Sequence, residues 1–274
     1  VHVAAVQLKA TMDPAANRGR VGRAVEEAAG RGAELVVLPE ASMCGYGDAD
    51  TDLAAVAEPL DGPFVAALVE VAGRTGSTVV AGMFETVPGE RRVYNTLAVV
   101  DGSGLMAHYR KLHLYDALGW VESERVRPGD PGGDADGPGV VTVPVGPLRL
   151  GLMTCYDLRF PEMARALVDA GATVLVLPAA WVAGEHKVEQ WGTLARARAI
   201  ESTAYMVAAA QPAPEYCGYS MIVDPAGVTR AVLNGDVEGS HALALAEVTA
   251  ERVAEERRRM PVLEHRRFEV RPRR

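Results

Sequence analysis

The sequence predicts an α/β protein of two mixed sheets packed face to face with helices on the outside. Three observations carry this. Strand-like and helix-like runs alternate along most of the 274 residues. The runs Leu35–Leu38 and Val174–Leu177 are continuously apolar, as expected for strands covered on both faces. One stretch also echoes another: Gly32-Ala33-Glu34-Leu35-Val36-Val37-Leu38-Pro39-Glu40 resembles Gly171-Ala172-Thr173-Val174-Leu175-Val176-Leu177-Pro178-Ala179. Each reads as helix exit, strand, then proline at the strand's end, so the chain holds two similar halves. At the matched position one half has Glu40 and the other Ala179, and a scaffold alone would not demand the carboxylate.

The elements follow in order. Val3–Leu8 is a short apolar strand. Asn17–Gly30 places Val21, Ala24, Val25 and Ala28 at helical spacing and stops at Gly30-Arg31-Gly32. Gly62-Pro63 opens a helix with Phe64, Leu68 and Val71 on one side, proline fitting the first helical position. Thr78–Phe84 is a strand. Asn95–Asp101 and Leu105–Leu114 flank Gly102-Ser103-Gly104 as a hairpin. Pro128–Pro138, rich in Gly, Pro and Asp, is a surface loop. In the second half Val140–Val145 and Leu148–Thr154 are strands, Pro161–Ala170 and Val188–Ser202 are helices, and Tyr205–Gln211 is a strand. Asp224-Pro225-Ala226-Gly227 turns Gly218–Asp224 into Val228–Leu233. Ala242–Val248 is the last strand, and a charged tail follows from Ala250.

Composition narrows the function. A net charge of −8 lacks the cation surplus that phosphate neutralisation needs, which argues against nucleic acid as a partner. No apolar run approaches a membrane span, and Val1–Leu8 reads as a strand and not as a signal peptide. Three cysteines without CxxC spacing argue against a disulfide scaffold and a zinc knuckle, so a reduced, cytoplasmic setting is expected. The six histidines form no HExxH and no Cys–His cluster, and there is no GxGxxG after a strand, no P-loop and no GxSxG. No metal or cofactor is expected.

Three residues could carry chemistry. Cys155 ends an apolar run and precedes a turn into a Pro-started helix; a nucleophile there has backbone N–H groups near it, and a buried packing cysteine is the plain alternative. Glu40 sits at the carboxyl end of a buried strand, where burial could raise its pKa toward that of a general base; a capping or salt-bridged acid is the alternative. In Tyr109-Arg110-Lys111-Leu112-His113-Leu114, strand alternation puts Tyr109, Lys111 and His113 on one face. An inward lysine would be a structural cation or an electrophile for an oxyanion; a solvated charge is the common case.

Together these stretches resemble the nitrilase (carbon–nitrogen hydrolase) superfamily. The resemblance rests on Leu35–Glu40, Tyr109–Leu114 and Cys155-Tyr156-Asp157-Leu158-Arg159-Phe160-Pro161-Glu162. Glu122-Ser123 through Arg127-Pro128-Gly129-Asp130, and Arg196-Ala197-Arg198-Ala199-Ile200-Glu201, agree with it. It implies an α-β-β-α sandwich over residues 1–249, with 250–274 as a tail and oligomer contact, and a homodimer or larger assembly. It also implies a Glu–Lys–Cys triad without metal or cofactor: Cys155 as nucleophile, Glu40 as general base, Lys111 with the Tyr156 N–H as oxyanion stabiliser, and Glu122 as a second glutamate that positions substrate. Tyr156-Asp157 after the cysteine resembles the amidase branches near ω-amidase and deaminated glutathione amidase. The implied activity is hydrolysis of a small primary amide, a carboxylate-bearing ω-amide among the candidates, to acid and ammonia through a Cys thioester, with N-carbamoyl or nitrile hydrolysis as alternatives. Arg159 matches an arginine that binds a substrate carboxylate in some carbamoylases; pairing with Glu162 or Asp157 is the other reading. Tyr46, Trp181 and Tyr156 are expected pocket walls, and Pro212–Cys217, shorter than in many relatives, is expected to border the site. A papain-like pair of Cys155 with His108 or His113, and a non-catalytic binding protein, are the competing readings.

Overall fold

The computed structural model describes residues 1–133 and 139–271. The first half runs β1 (His2–Leu8), α1 (Pro14–Gly30), β2 (Leu35–Val37), α2 (Pro63–Thr75), β3 (Thr78–Thr86), β4 (Val93–Asp101), β5 (Gly104–Arg110), β6 (Asp116–Ala117), β7 (Trp120–Val121) and β8 (Val126–Arg127). The second runs β9 (Thr142–Val145), β10 (Leu148–Leu152), α3 (Pro161–Asp169), β11 (Val174–Ala179), α4 (Lys187–Ser202), β12 (Tyr205–Ala210), β13 (Met221–Val223), β14 (Thr229–Val232), β15 (His241–Glu247) and α5 (Ala250–Arg259).

Two large mixed sheets form, in the orders β15-β1-β2-β3-β4-β5, with β8 on β4, and β14-β13-β12-β11-β10-β9. Each is built around three parallel strands, β1-β2-β3 in one and β10-β11-β12 in the other, with antiparallel neighbours outside. The echoing segments are the middle strands of these parallel trios. Side-chain alternation along β1 assigns the layers. Val3 and Ala5 enter a core shared with Leu150, Leu152, Val176 and Val207 of the opposite sheet. Ala4, Val6 and Leu8 enter a second core with Val21, Val25, Phe64 and Leu68 of α1 and α2. On the far side of the second sheet Met163, Leu167, Trp191 and Ala195 bring α3 and α4 onto it. The layering is the α-β-β-α sandwich.

Several boundaries differ from the sequence reading for local reasons. α1 begins three residues early because Asp13 caps it, accepting from the N–H groups of Ala15 and Ala16. The strand expected over Leu105–Leu114 ends at Arg110, so alternation does not extend to Lys111 and His113. The charged tail, read without structure, contains helix α5, whose Val253 is buried in the core of the second sheet while Arg257 donates to the Ala172 and Thr203 carbonyls. Of the loop expected over Pro128–Pro138, residues 134–138 lie outside the described residues, as do 272–274 of the tail. Among the described residues no helix is long and apolar enough to cross a membrane.

Candidate active site

Parallel strands deliver their carboxyl ends to one edge, where open α/β sheets bind ligands. Glu40 follows β2, Ala180 follows β11 and Cys155 follows β10, all at that edge; Lys111 directly follows β5. The close approach beneath Glu40 needs a glycine: a Cβ at Gly82 of β3 would lie 2.6 Å from the Ala41 nitrogen and 2.7 Å from Glu40 Cα. The two echoing strands then meet. The Ala180 N–H, one residue past β11, donates to Glu40 Oε2 at 2.7 Å. Gln211, one residue past β12, donates to the Glu40 carbonyl at 3.0 Å.

Lys111 is buried between two carboxylates. Its Nζ donates to Glu40 Oε1 at 2.9 Å and to the two oxygens of Glu122 at 3.1 and 2.9 Å. Asn95 Nδ2 donates to Glu40 Oε1 at 2.6 Å and lies 3.2 Å from Glu122 Oε1. The Tyr46 hydroxyl stands 2.9 Å from an oxygen of each glutamate, and the Tyr115 N–H donates to Glu122 Oε2 at 2.7 Å. The sequence reading found Glu40, Lys111, Glu122 and Tyr46 but missed Asn95, Tyr115 and Gln211. Each of those comes alone from a different segment, without a motif around it.

Cys155 opens a 3-10 turn, Cys155–Arg159, with φ of +45°. A non-glycine residue in the left-handed region is strained and persists only where its surroundings hold it. Asp157 provides much of that hold. Its carboxylate accepts from the Thr154 N–H at 2.8 Å, the Tyr109 hydroxyl at 2.6 Å and the His113 N–H at 3.2 Å, and pairs with His113 Nδ1 at 2.7 Å. Tyr109 and His113 flank Lys111 by two residues on each side, so Asp157 registers the lysine segment against the cysteine turn. Arg198 adds a second anchor, donating through Nε and Nη2 to the Leu158 carbonyl at 3.0 and 2.7 Å. His113 is thus committed to Asp157 and stacked on Phe160 at 3.8 Å, and His108 pairs in β5 opposite Ala98. Neither lines the cavity beside Cys155, which removes the geometric basis of a Cys–His pair.

The electrostatics differ from the expectation for Glu40. Burial pushes its carboxyl up, but the Lys111 charge and hydrogen bonds from Lys111, Asn95 and Ala180 outweigh this and hold it below its ordinary value. Burial, and then the Glu40 charge beside it, raise the Cys155 thiol well above an ordinary thiol, against a lowering pull from Lys111. Burial works against the Lys111 ammonium, yet the charges of Glu122 and Glu40 carry it well above the usual lysine value. The site therefore holds a neutral thiol, an ionised Glu40 and a charged Lys111. Because the Glu40 charge is part of what raises the thiol, Glu40→Gln is expected to move the pH profile of Cys155 alkylation by iodoacetamide to lower pH. Mass spectrometry of the labelled protein reads this, and an unmoved profile would assign the raised thiol to burial alone. Burial also pushes the other two thiols up, Cys44 to about 11 and Cys217 to about 12, so neither is activated.

Glu40, Lys111, Glu122 and Cys155 border one cavity of about 200 Å³. Its walls include the expected Tyr46, Tyr156 and Trp181, together with Tyr115, Trp120 and Lys187. Glu215 and Tyr216 of the Pro212–Cys217 loop border it as well. Arg159 is not among the lining residues. It pairs with neither Glu162 nor Asp157 but donates to Gln190 Oε1 at 2.6 Å and lies over the Trp181 ring at 4.8 Å. Among the described residues no group of three or more His, Cys, Asp or Glu side chains could hold a metal ion.

Known proteins resemble this chain over most of its length. A family model described as carbon-nitrogen hydrolase matches residues 2–258. Deaminated glutathione amidase of Escherichia coli O157:H7 is 42% identical over 244 residues, covering 88% of this chain and 88% of the relative. The crystal structure of Nit3 of Saccharomyces cerevisiae, a member of branch 10 of the nitrilase superfamily, superposes with a TM-score of 0.83 at 27% identity, covering 98% of this chain and 97% of that one. A glutamate-to-glutamine mutant of an amidase from Nesterenkonia sp. AN1, with acrylamide joined to its active-site cysteine by Michael addition, superposes with a TM-score of 0.77 at 25% identity. It covers 95% of this chain and 98% of that one.

Proposed function

This chain belongs to the carbon-nitrogen hydrolase family and is a C–N hydrolase, and we propose that it hydrolyses a small primary amide to acid and ammonia through a thioester on Cys155. The observation that carries this reading is the burial of Glu40, Lys111 and Cys155 at one cavity, with Lys111 at 2.9 Å from Glu40. The Michael adduct of acrylamide on the active-site cysteine of the Nesterenkonia amidase supports, by likeness, a nucleophilic Cys155.

The protonation states dictate the order of events. With the thiol held high and Glu40 low, a free thiolate does not accumulate, so proton transfer accompanies attack. Cys155 Sγ bonds to the amide carbon as its proton passes to Glu40, and the carbonyl π pair moves to oxygen. Lys111 Nζ has three protons: Glu40 takes one, Glu122 takes one across its two oxygens, and the third meets the oxyanion beside the Tyr156 N–H. Collapse of that intermediate breaks the C–N bond while Glu40 returns the proton, and ammonia leaves. Glu40 then takes a proton from water as the water oxygen attacks the thioester carbon; the C–S bond breaks as Glu40 returns that proton to Cys155 Sγ, and the acid departs. Glu122 keeps Lys111 oriented, and Tyr46, Tyr156 and Trp181 wall the substrate.

Rapid quench of the protein with a panel of ω-amides, N-carbamoyl amino acids, aliphatic amides and nitriles tests the reading. An acyl adduct on Cys155, located by peptide mass spectrometry, with ammonia as product of the amides is the expected result. Carbon dioxide release from carbamoyl substrates alone would move the assignment to that class, and no adduct with any compound would defeat it. The reading includes a cytoplasmic setting, supported by three free thiols. It also includes a homo-oligomer joined through residues 250–274, supported by exposed Met260 and Phe268 and read by sedimentation.

A further inference from the structure

We propose that Lys187, and not Arg159, is the side chain of this pocket that recognises the far-end carboxylate of an ω-amide. The proposal rests on the amidase reading above and assigns the substrate's second anchor. Lys187 begins α4, is 7% exposed and lines the same cavity as Cys155. A buried ammonium is costly unless it is paired and hydrogen-bonded. Lys111 meets that cost with two carboxylates. Lys187 does not: among the described residues no carboxylate oxygen lies within 4.0 Å of its Nζ. It donates instead to the Tyr115 hydroxyl at 3.1 Å and stands 5.1 and 5.4 Å from the ring centroids of Tyr115 and Trp181. Ring faces favour a cation without using up its donors, and the phenol takes one of three. The acids nearest in sequence are engaged elsewhere, Glu185 and Glu189 both with His186.

Glu40, Glu122 and Glu215 border the cavity with Lys111 and Lys187, and of the two lysines Lys187 is the one whose Nζ faces rings and not carboxylates. The rings of Tyr115 and Trp181 offer an apolar wall for the methylenes between amide and acid. The Trp181 indole N–H donates to the Lys187 carbonyl at 3.1 Å, tying that wall to the start of α4. Arg159, the cation singled out from sequence, lies behind Trp181 with its guanidinium engaged by Gln190.

The test compares glutaramate with neutral pentanamide of similar length, as the ratio of their kcat/KM values. Lys187→Met is expected to lower that ratio about 10- to 100-fold, the size of a lost charge-assisted hydrogen bond, through KM for the anionic amide, and Lys187→Arg to recover most of it. An equal loss for both substrates, or an unchanged ratio, overturns the proposal. A wild-type protein that hydrolyses neither these two nor any other amide of the panel above defeats the amidase reading instead. Calorimetry of glutarate with Cys155→Ala protein then decides the anion site: weaker binding on adding Lys187→Met sustains it, and equal binding overturns it.

Discussion

Cys155→Ala is expected to release no measurable ammonia from any amide the native protein hydrolyses, a loss of at least about 10⁴-fold, while keeping a native fold. The activity side follows from chemistry: among the described residues no other thiol stands at the edge where Glu40 and Lys111 meet, since Cys44 lies in the second core and Cys217 donates to the Gly218 carbonyl. The folding side follows from packing. The substitution removes one buried sulfur and leaves the Asp157 and Arg198 anchors of the turn intact, so the stability change should be about 1 kcal/mol. Cys155→Ser should be equally inactive although it keeps a hydroxyl. A carboxylate held below its ordinary value is a weak base for an alcohol, whose proton is far harder to remove than a thiol's. Ammonia assay and thermal denaturation of both variants check this, and retained turnover in Cys155→Ala would remove the nucleophile assignment.

Much of the fold was legible because its strands announce themselves. Runs such as Leu35–Val37 and Val174–Ala179 are apolar at every position since both faces are covered. Their repetition with a proline exit revealed the doubled architecture. What sequence could not supply was convergence. That Ala180, from the second copy of the echo, would donate its N–H to Glu40 of the first is a statement about how two sheets meet. Glu40 shows the same gap in electrostatics. Burial alone argues for a raised pKa, and only the contact with Lys111, 71 positions away, reverses the sign. The alternation argument for Tyr109, Lys111 and His113 assumed a strand that stops at Arg110; what brings Tyr109 and His113 together is Asp157, which no period records. Lys187 escaped notice because one lysine at a helix start is ordinary until its neighbours prove to be aromatic rings. The strained φ at Cys155 had no glycine to advertise it.

Lys111→Met should produce the largest combined loss, removing hydrolysis and destabilising the fold by about 3–5 kcal/mol, the cost of breaking a buried ion pair from one side. The two glutamates would keep their burial and their Asn95 and Tyr46 contacts but lose the only ammonium that touches them among the described residues. The pH dependence distinguishes this from a general packing defect. In the native protein Glu40 is held below its ordinary value of 4.5, so its contribution is present above about 4.5 and is lost as pH falls through its folded value. In the variant, burial without the lysine acts alone and drives the carboxyls upward, so the variant loses stability as pH rises through them. The stability gap between the two proteins should therefore be wide at pH 7 and narrow toward pH 4, as read by denaturant titration. Adding Glu122→Gln to Lys111→Met removes one of the stranded charges and should recover part of the stability at pH 7 but none of the activity. A gap independent of pH, or a double variant no more stable than the single one, would mean that Lys111 contributes chiefly by filling space, and the charge balance assigned to the site would fall with it.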